Sequence, residues 1–338
     1  MHAVGFLVPG SVDREDALVD IELPMPEPGD RDLLVEIKAV SVNPVDYQVR
    51  KGEYGPGGEG WTVLGWDAAG VVSAVGRAVT LFRPGDEVFY AGSILRPGTN
   101  AQFHLVDERI VGAKPRTLDW AAAAALPLTA ITAWEALFDR LDVRRPVRGA
   151  APAILIIGGG GGVSSMAVQI AKAQTDLTVI ATSSRPETTD WVRGLGADHV
   201  VDHTRPLAQQ VAALGLGAPA FVFSTTHTDR HIADIAELIA PQGRFGFTDD
   251  PTIDIELFKP KAVSIHYELM FTRTMFDTAD VADQGALLNE VSRLVDAGML
   301  RTTMTERHTP IDAATLKRVH ASIESGRTMG KIVVEGFA

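Results

Sequence analysis

The glycine run in LIIGGGGGVSSMAVQIAKA, residues 155–173, is the first stretch whose composition points to chemistry. Consecutive glycines are costly in regular structure, because glycine loses the most backbone entropy on folding. The run lies between an apolar strand pattern and a helical pattern, where free backbone N–H groups and the helix dipole attract a phosphate. Gly159, Gly161 and position 164 fit the dinucleotide fingerprint G-x-G-x-x-G, although Ser164 replaces the third glycine. The context therefore predicts a dinucleotide site; a merely flexible turn is the alternative.

The segment after the next strand indicates which dinucleotide is bound. A free ribose 2′-hydroxyl usually meets Asp or Glu at this point, but TVIAT is followed by SSRPET, with no carboxylate before Glu187. Ser183 and Ser184 can donate hydrogen bonds, and Arg185 can form a charge-assisted pair with a 2′-phosphate. NADPH is therefore favoured over NADH. The alternative for Arg185 is a solvated position at a helix start.

Periodicity predicts the elements that position these residues. Short strand-like segments broken by Pro and Gly extend from Met1 to about Leu105 and indicate an irregular, mostly β domain. From about residue 120, apolar strands alternate with helical patterns, which predicts a doubly wound parallel sheet in an α/β domain. The sequence of the final strand, GKIVVEGF, resembles the short strand-like segments of the first domain, and we expect it to pack against that domain.

Composition limits the function classes. A length of 338 residues favours two domains, and a net charge of −12 opposes binding to nucleic acid or to anionic membranes. The absence of cysteine excludes disulfides, thiolate nucleophiles and cysteine metal sites. The N-terminus lacks a signal-peptide pattern, and no uninterrupted apolar run reaches about 18 residues. We therefore expect a cytoplasmic protein with a small-molecule substrate.

Several motifs in a fixed order carry a resemblance to a known family. AVSVNPVDYQVRKGEYGP, GWDAAGVVSAVG, FRPGDEVF, AAALPLTAITAWEAL, the glycine loop and GRFGF resemble medium-chain dehydrogenases/reductases, in the branch of quinone oxidoreductases and zinc-type alcohol dehydrogenase-like proteins. The resemblance implies a GroES-like β domain over 1–125, completed by 300–338, and a Rossmann domain over 126–299. It also implies an active site between these domains and a homodimer.

The zinc ligands of the related alcohol dehydrogenases are missing. Asn43 stands where those enzymes have a cysteine, and Trp66 and Asp67 stand where they have a His-Glu pair. Neither Asn43 nor Trp66 is a plausible zinc ligand. His227 and His231 have helical i, i+4 spacing but lack the glutamate of H-E-x-x-H. We therefore expect no metal.

Without zinc, the negative charge that hydride transfer creates on a substrate oxygen needs hydrogen-bond donors. Asn43, Tyr47 and Tyr54 can donate, and a tyrosine can also deliver a proton. By resemblance, Asn43 and Tyr54 match positions that line the quinone oxidoreductase cleft, whereas spacing alone suggests Tyr47. A partly buried core tyrosine is the alternative for Tyr47. Asp46 is expected to brace its loop through backbone N–H groups.

Further cofactor contacts follow from the resemblance and from strand ends. Thr132 matches a threonine near the nicotinamide, and Lys331 matches a basic or polar residue that approaches the cofactor. An ordinary helix residue and a surface lysine are the respective alternatives. The remaining candidates lie in the glycine loop or at carboxyl ends of strands, where ligands bind in open α/β sheets: Gly159, Gly161, Gly162, Val163, Ser224, Thr225, Phe247 and Thr248.

These features together predict an NADPH-dependent, zinc-independent oxidoreductase that transfers hydride to a quinone or an α,β-unsaturated carbonyl compound. Two alternatives stay open at this point: a zinc-type alcohol dehydrogenase, and a non-enzymatic NADPH-binding protein of crystallin-like type, because a fold alone does not specify turnover.

Overall fold

The computed structural model describes residues 1–54 and 60–337. Within these residues the chain divides into two compact units, Met1–Ile131 with Phe271–Ala338, and Thr132–Met270. The two ends of the chain therefore belong to one unit, and the second unit is an insertion between them.

The N-terminal segment of the first unit is mostly strand. Its strands are β1 (His2–Phe6), β2 (Val19–Glu22), β3 (Asp32–Ser41), β4 (Thr62–Val63), β5 (Ala68–Val75), β6 (Glu87–Tyr90), β7 (Phe103–Asp107) and β8 (Gly112–Ala113). Its helices are α1 (Pro44–Lys51) and α2 (Trp120–Ala124), followed by α3 (Pro127–Trp134), which crosses the unit boundary after Ile131. A π-helix over Glu135–Arg140 continues α3 within the inserted unit. This is the irregular β texture that the spacing of Pro and Gly predicts.

The inserted unit alternates strand and helix. Its strands are β9 (Ala151–Ile157), β10 (Thr178–Thr182), β11 (His199–Val201), β12 (Pro219–Ser224), β13 (Arg244–Phe247) and β14 (Ser264–Tyr267). Its helices are α4 (Gly162–Gln174), α5 (Pro186–Gly194), α6 (Leu207–Ala213) and α7 (Ile232–Leu238).

The chain then returns to the first unit. This last segment contains α8 (Thr272–Phe276), α9 (Asp283–Asp296), β15 (Met304–His308), α10 (Ala313–Glu324) and β16 (Lys331–Glu335).

The sheet of the inserted unit is parallel throughout, in the order β11-β10-β9-β12-β13-β14. Its inner strands β9, β10, β12 and β13 are mostly buried and apolar, as expected for a sheet covered on both faces, whereas the edge strands β11 and β14 are partly exposed. Leu155, Val222 and Phe245 belong to one core cluster on this sheet. The strand order reverses between β9 and β12, and such switch points are where doubly wound sheets bind ligands. The predicted α/β fold class, a GroES-like β domain with a Rossmann domain, is confirmed.

The main sheet of the first unit joins distant parts of the sequence. The strands follow the order β15-β16-β3-β5-β6-β8, and β3 pairs antiparallel with both β16 and β5. In the antiparallel pairing of β16 with β3, Val333 is opposite Ser41. Extending this register by two residues places Lys331 beside Asn43. The last strand therefore packs on the first unit, as its texture predicts.

The unit boundaries differ from the predicted ones over 271–299. The family resemblance implies that this segment belongs to the Rossmann domain. In the structure, α9 packs against β8 and the 3-10 turn Glu108–Ile110 of the first unit. Gly285 allows this close approach, since a Cβ there would lie 2.5 Å from the carbonyl oxygen of Arg109. Helical periodicity predicts α9 but not the unit that it joins.

Within the described residues, one helical stretch, Trp120–Arg140, is long and apolar enough to cross a membrane by length and composition. Its most hydropathic window is 89% buried inside the protein, as in the core helix of a folded domain.

Substitution of Gly285 tests the packing of α9. Gly285→Ala places a methyl group against backbone that cannot move aside, so we expect the free energy of unfolding to fall by about 1–3 kcal/mol. The exposed neighbour on the same helix, Ala286→Ser, should change it by less than about 0.5 kcal/mol. Urea unfolding monitored by circular dichroism measures both, and equal effects would contradict the close packing at Gly285.

Candidate active site

The glycine loop connects β9 to α4 and is closed by its own hydrogen bonds. Gly158 has a φ of +94°, in the left-handed region that favours glycine, and its N–H donates to the Thr182 hydroxyl at 3.0 Å. A Cβ on Gly159 would lie 2.6 Å from the carbonyl oxygen of Thr182. Ser164, at the third fingerprint position, is buried and its hydroxyl donates to the Gly158 carbonyl. Serine therefore replaces the third glycine without opening the loop.

The other strand-end candidates lie at the carboxyl ends of β12 and β13. Ser224 and Phe247 are buried, whereas Thr225 and Thr248 are half-buried. The Ser224 hydroxyl accepts a hydrogen bond from Thr228 at 2.7 Å, and the Thr225 hydroxyl donates to the Ile157 carbonyl at 3.0 Å. The ends of β9, β12 and β13 thus form a polar edge beside the N-terminus of α4, which carries Gly162 and Val163. This edge can take the phosphates of a dinucleotide.

The residues after β10 line a cavity of about 470 Å³. Ser183, Ser184 and Arg185 all belong to its wall, together with Asp202 and Gln210. Ser184 is exposed and Arg185 is half-buried, with its guanidinium 3.4 Å from the carboxylate of Glu187. Ser184 and Arg185 therefore lie on the wall of this cavity.

Ser183 has a different role from the predicted one. It is buried, and its hydroxyl bonds to Thr188 at 2.5 Å and to the Arg185 carbonyl at 3.2 Å. These contacts shape the turn that presents Ser184 and Arg185.

The two candidate tyrosines follow Asn43 in the sequence: Tyr47 lies on α1, and Tyr54 lies beyond the end of that helix. Tyr47 is half-buried, with the Lys51 ammonium 5.4 Å from its ring centre. Burial raises the pKa of the Tyr47 phenol, and the carboxylates of Glu53 and Glu324 raise it further. The phenol therefore keeps its proton and is able to donate a hydrogen bond. Tyr54 is 44% exposed, immediately before residues 55–59, which lie outside the described part of the chain.

Asn43 belongs to a buried polar cluster with Asp67 and Lys331, at the ends of β3, β5 and β16. Its amide nitrogen donates to the Asp67 carboxylate at 2.9 Å and to the Ser41 carbonyl at 3.3 Å. Its amide oxygen accepts from the Lys331 ammonium. Both amide protons of Asn43 are thus used within the protein, so this arrangement leaves none for a substrate oxygen.

Lys331 is also placed differently from the implied cofactor contact. It is 4% exposed, and its ammonium donates to the Val42 carbonyl at 2.8 Å and pairs with Asp67 at 3.2 Å. Burial lowers the pKa of Lys331 while Asp67 opposes the shift; burial also raises the pKa of Asp67 while Lys331 opposes it. The described contacts of the ammonium thus lie inside the first unit.

Asp46 braces the start of α1, as the sequence interpretation expected. Its carboxylate accepts the Asn43 N–H at 2.7 Å. Burial raises the pKa of Asp46 to about 7, against the lowering effects of the Asn43 N–H and of the Lys331 charge. Thr132, in the last part of α3, is buried.

Comparisons with known proteins agree with this fold. A family model described as the alcohol dehydrogenase GroES-like domain matches residues 29–116, and one described as zinc-binding dehydrogenase matches residues 195–334. The chain is 37% identical to a zinc-type alcohol dehydrogenase-like protein of Staphylococcus aureus (strain MSSA476), over 99% of each chain. The chain belongs to the medium-chain dehydrogenase/reductase superfamily.

Other members of the superfamily extend the comparison. A chloroplastic quinone-oxidoreductase homolog of Spinacia oleracea is 35% identical over 61% of this chain and 62% of its own. The crystal structure of a protein from Rhizobium etli CFN 42, whose name places it among zinc-dependent alcohol dehydrogenases, has 69% identity and a TM-score of 0.97. That match covers 100% of this chain and 98% of the other. The chain is thus an oxidoreductase of a pyridine-nucleotide-dependent family that acts on small molecules.

The names of the Staphylococcus aureus and Rhizobium etli relatives refer to zinc, but the residues present here do not form a zinc site. Protein zinc is held by Cys, His and carboxylate groups. Asn43 offers only an amide oxygen, already bound to an ammonium, and the Trp66 indole N–H donates to the Ser93 carbonyl at 3.1 Å. The only carboxylate of the three positions, that of Asp67, is paired with Lys331.

Histidines do not supply a metal site either. Thr228–His231 is a single 3-10 turn, and His227 precedes it with a φ of +50°, so the predicted i, i+4 helical spacing of the two histidines does not form. Across residues 1–54 and 60–337, no group of three His, Asp or Glu side chains is arranged to hold a metal ion.

The inserted unit contains a carboxyl pair that no sequence pattern predicts. Glu268 directly follows β14, and Glu135 lies one turn beyond Thr132; both are buried. The Arg140 guanidinium donates to Glu268 at 3.0 Å and is 4.0 Å from Glu135. Burial and the neighbouring Glu135 raise the pKa of Glu268 well above its ordinary value of 4.5, and Arg140 only partly opposes this. The positions are 133 residues apart, so no local pattern links them.

The raised pKa of Glu268 predicts how stability depends on pH. A carboxyl group that binds its proton more tightly when folded stabilises the protein at low pH, and this contribution is lost as pH rises above about 4.5. We expect Glu268→Gln to flatten the decline in unfolding free energy between about pH 5 and 8, which reaches at most about 1.4 kcal/mol per pH unit for one group. Urea unfolding across this range measures it. An unchanged slope, or the same flattening in the exposed control Glu256→Gln, would contradict the assignment.

Proposed function

We propose that this chain is an NADPH-dependent, zinc-independent oxidoreductase that transfers hydride to a quinone or an α,β-unsaturated carbonyl compound. The observation that carries the proposal is the end of β10, where Ser184 and Arg185 face a cavity and no carboxylate precedes Glu187. An Asp or Glu at this point would favour a free ribose 2′-hydroxyl, whereas a guanidinium and a hydroxyl favour a 2′-phosphate.

The residues of the inserted unit fit a dinucleotide. Gly158 and Gly159 pack closely against Thr225 and Thr182 at the ends of two strands, which holds the glycine loop at the sheet edge. The first N–H groups of α4 have no acceptor within the helix and can bind the oxygens of a pyrophosphate. Thr225 and Thr248 are half-buried at the same sheet edge. NADPH supplies a hydride when bound. The protein has to orient it and to stabilise the charge that forms on the acceptor.

Hydrogen-bond donors are the means of charge stabilisation proposed for this chain. Hydride addition to a quinone or enone leaves a negative charge on an oxygen, which then needs donors or a metal ion. The Asn43–Asp67–Lys331 cluster does not offer the ligands of a zinc site, and the amide protons of Asn43 are already used. Tyr47 and Tyr54 are therefore the proposed donors, and either a tyrosine or solvent completes the reaction with a proton. The spinach relative named for quinones supports this acceptor class.

We further propose a cytoplasmic homodimer, the assembly that the family resemblance implies, with no nucleic acid or membrane partner.

Arg185 should determine coenzyme preference. A charge-assisted pair contributes about 1.5–3 kcal/mol, so Arg185→Ala is expected to weaken NADPH binding by about 10- to 100-fold. NADH lacks the 2′-phosphate, and its Kd should change by less than about twofold on the same grounds. Fluorescence titration of both coenzymes measures this.

A matched control is Arg145→Ala, which removes a surface arginine of the same unit that pairs with Asp142 at 3.0 Å. Its two Kd values should stay at the wild-type level. A loss of NADH affinity equal to the loss for NADPH in Arg185→Ala would contradict 2′-phosphate recognition.

The reaction itself is tested by following nicotinamide absorbance. Purified, chelator-treated protein is mixed with NADPH or NADH and a panel of quinones and enones. We expect NADPH oxidation that survives chelation, and a Tyr47→Phe/Tyr54→Phe variant with kcat at least about tenfold lower but unchanged NADPH binding. Turnover that returns only with added zinc would favour an alcohol dehydrogenase. NADPH binding without turnover would favour the non-enzymatic alternative.

A further inference from the structure

The ammonium of Lys331 is surrounded by oxygen atoms. It donates to the Val42 carbonyl and to the Asn43 amide oxygen, and it pairs with the Asp67 carboxylate. An ammonium has three N–H donors, and each of them has an acceptor here. Lys331 therefore uses its whole donor capacity inside the first unit.

These oxygens form the kind of set that holds a hard cation. Backbone carbonyls, Asn amide oxygens and Asp carboxylates are the usual ligands of Ca²⁺, Mg²⁺ and Mn²⁺. Asn43 and Asp67 are almost fully buried, so water cannot compensate the carboxylate charge. A buried carboxylate requires a cation in its place, and the lysine side chain provides one.

We propose that the Lys331 ammonium is the resident cation of this oxygen-lined site and that it closes the site to divalent metal ions. This inference goes beyond the proposed reaction and does not depend on it, because metal binding is measured without coenzyme or substrate.

The same ammonium orients two helix starts. It fixes the amide oxygen of Asn43, the residue that precedes α1, and it holds Asp67, whose other carboxylate oxygen accepts the Leu128 N–H at 2.7 Å. Leu128 lies in the first turn of α3. Lys331 is thus a positioning residue for α1, which carries Tyr47.

Two substitutions of Lys331 test the proposal, one that leaves the space of its side chain empty and one that fills it with an uncharged side chain. Lys331→Ala vacates the ammonium position, whereas Lys331→Met keeps it filled without a charge. Manganese is the probe, and the purified full-length chain is titrated with Mn²⁺ and monitored by electron paramagnetic resonance. We expect Lys331→Ala to bind Mn²⁺ at least about tenfold more tightly than wild type, and Lys331→Met and Lys331→Ala/Asp67→Asn to bind it no better than wild type.

Two results would overturn the proposal. One is wild-type protein that binds Mn²⁺ and loses it in Asp67→Asn; the other is a folded Lys331→Ala variant with no gain in affinity. An enzyme that fails to reduce quinones but shows the expected metal binding would contradict only the proposed reaction.

A stability measurement keeps the proposal testable if Lys331→Ala does not fold. Lys331→Met leaves Asp67 as a buried charge without a counter-ion, whereas Lys331→Met/Asp67→Asn removes both charges. The double variant should therefore have a higher thermal midpoint than the single variant. A midpoint equal to or below that of Lys331→Met would show that the ammonium is not the counter-ion of Asp67.

Discussion

A buried ion pair between Lys331 and Asp67 connects the two segments of sequence that form the first unit. Lys331 begins β16 and Asp67 immediately precedes β5, and β3 lies between these strands in the sheet. The pair requires the antiparallel register of β16 on β3, because a shift by one residue would turn the lysine to the other face of the sheet. The Asn43 conformation, the start of α1 and the start of α3 all depend on this contact.

The inserted unit is organised by a different constraint, the close approach of backbone at the switch point of its sheet. Gly159 touches the end of β10, and Ser164 closes the glycine loop from within α4. This unit places the glycine loop, a polar sheet edge and the Arg185 cavity within one continuous stretch of sequence. The first unit, in contrast, builds its polar cluster from three distant segments.

This contrast explains what could be predicted from the sequence. Strand and helix alternation predicts the parallel sheet, and the glycine loop predicts the dinucleotide site, because both signals are local. The sequence does not separate Ser183 from Ser184, since only the fold directs one hydroxyl to Thr188 and exposes the other. Asn43 and Lys331 are 288 positions apart, and their contact follows from a strand register that no local pattern contains. The same holds for Glu135 and Glu268, which meet only when a π-helical turn reaches the end of β14.

The position of β16 after the inserted unit in the sequence has a consequence for synthesis on the ribosome. The inserted unit is complete once Met270 has emerged, so it can fold while translation continues. The first unit lacks its closing strand until residues 331–335 have been added. Until then Asp67 lacks the Lys331 counter-ion, and β3 lacks its partner strand over residues 39–41, a state that favours pairing with other chains. The nascent chain therefore presents its Rossmann unit in folded form before the β domain that begins the sequence is finished.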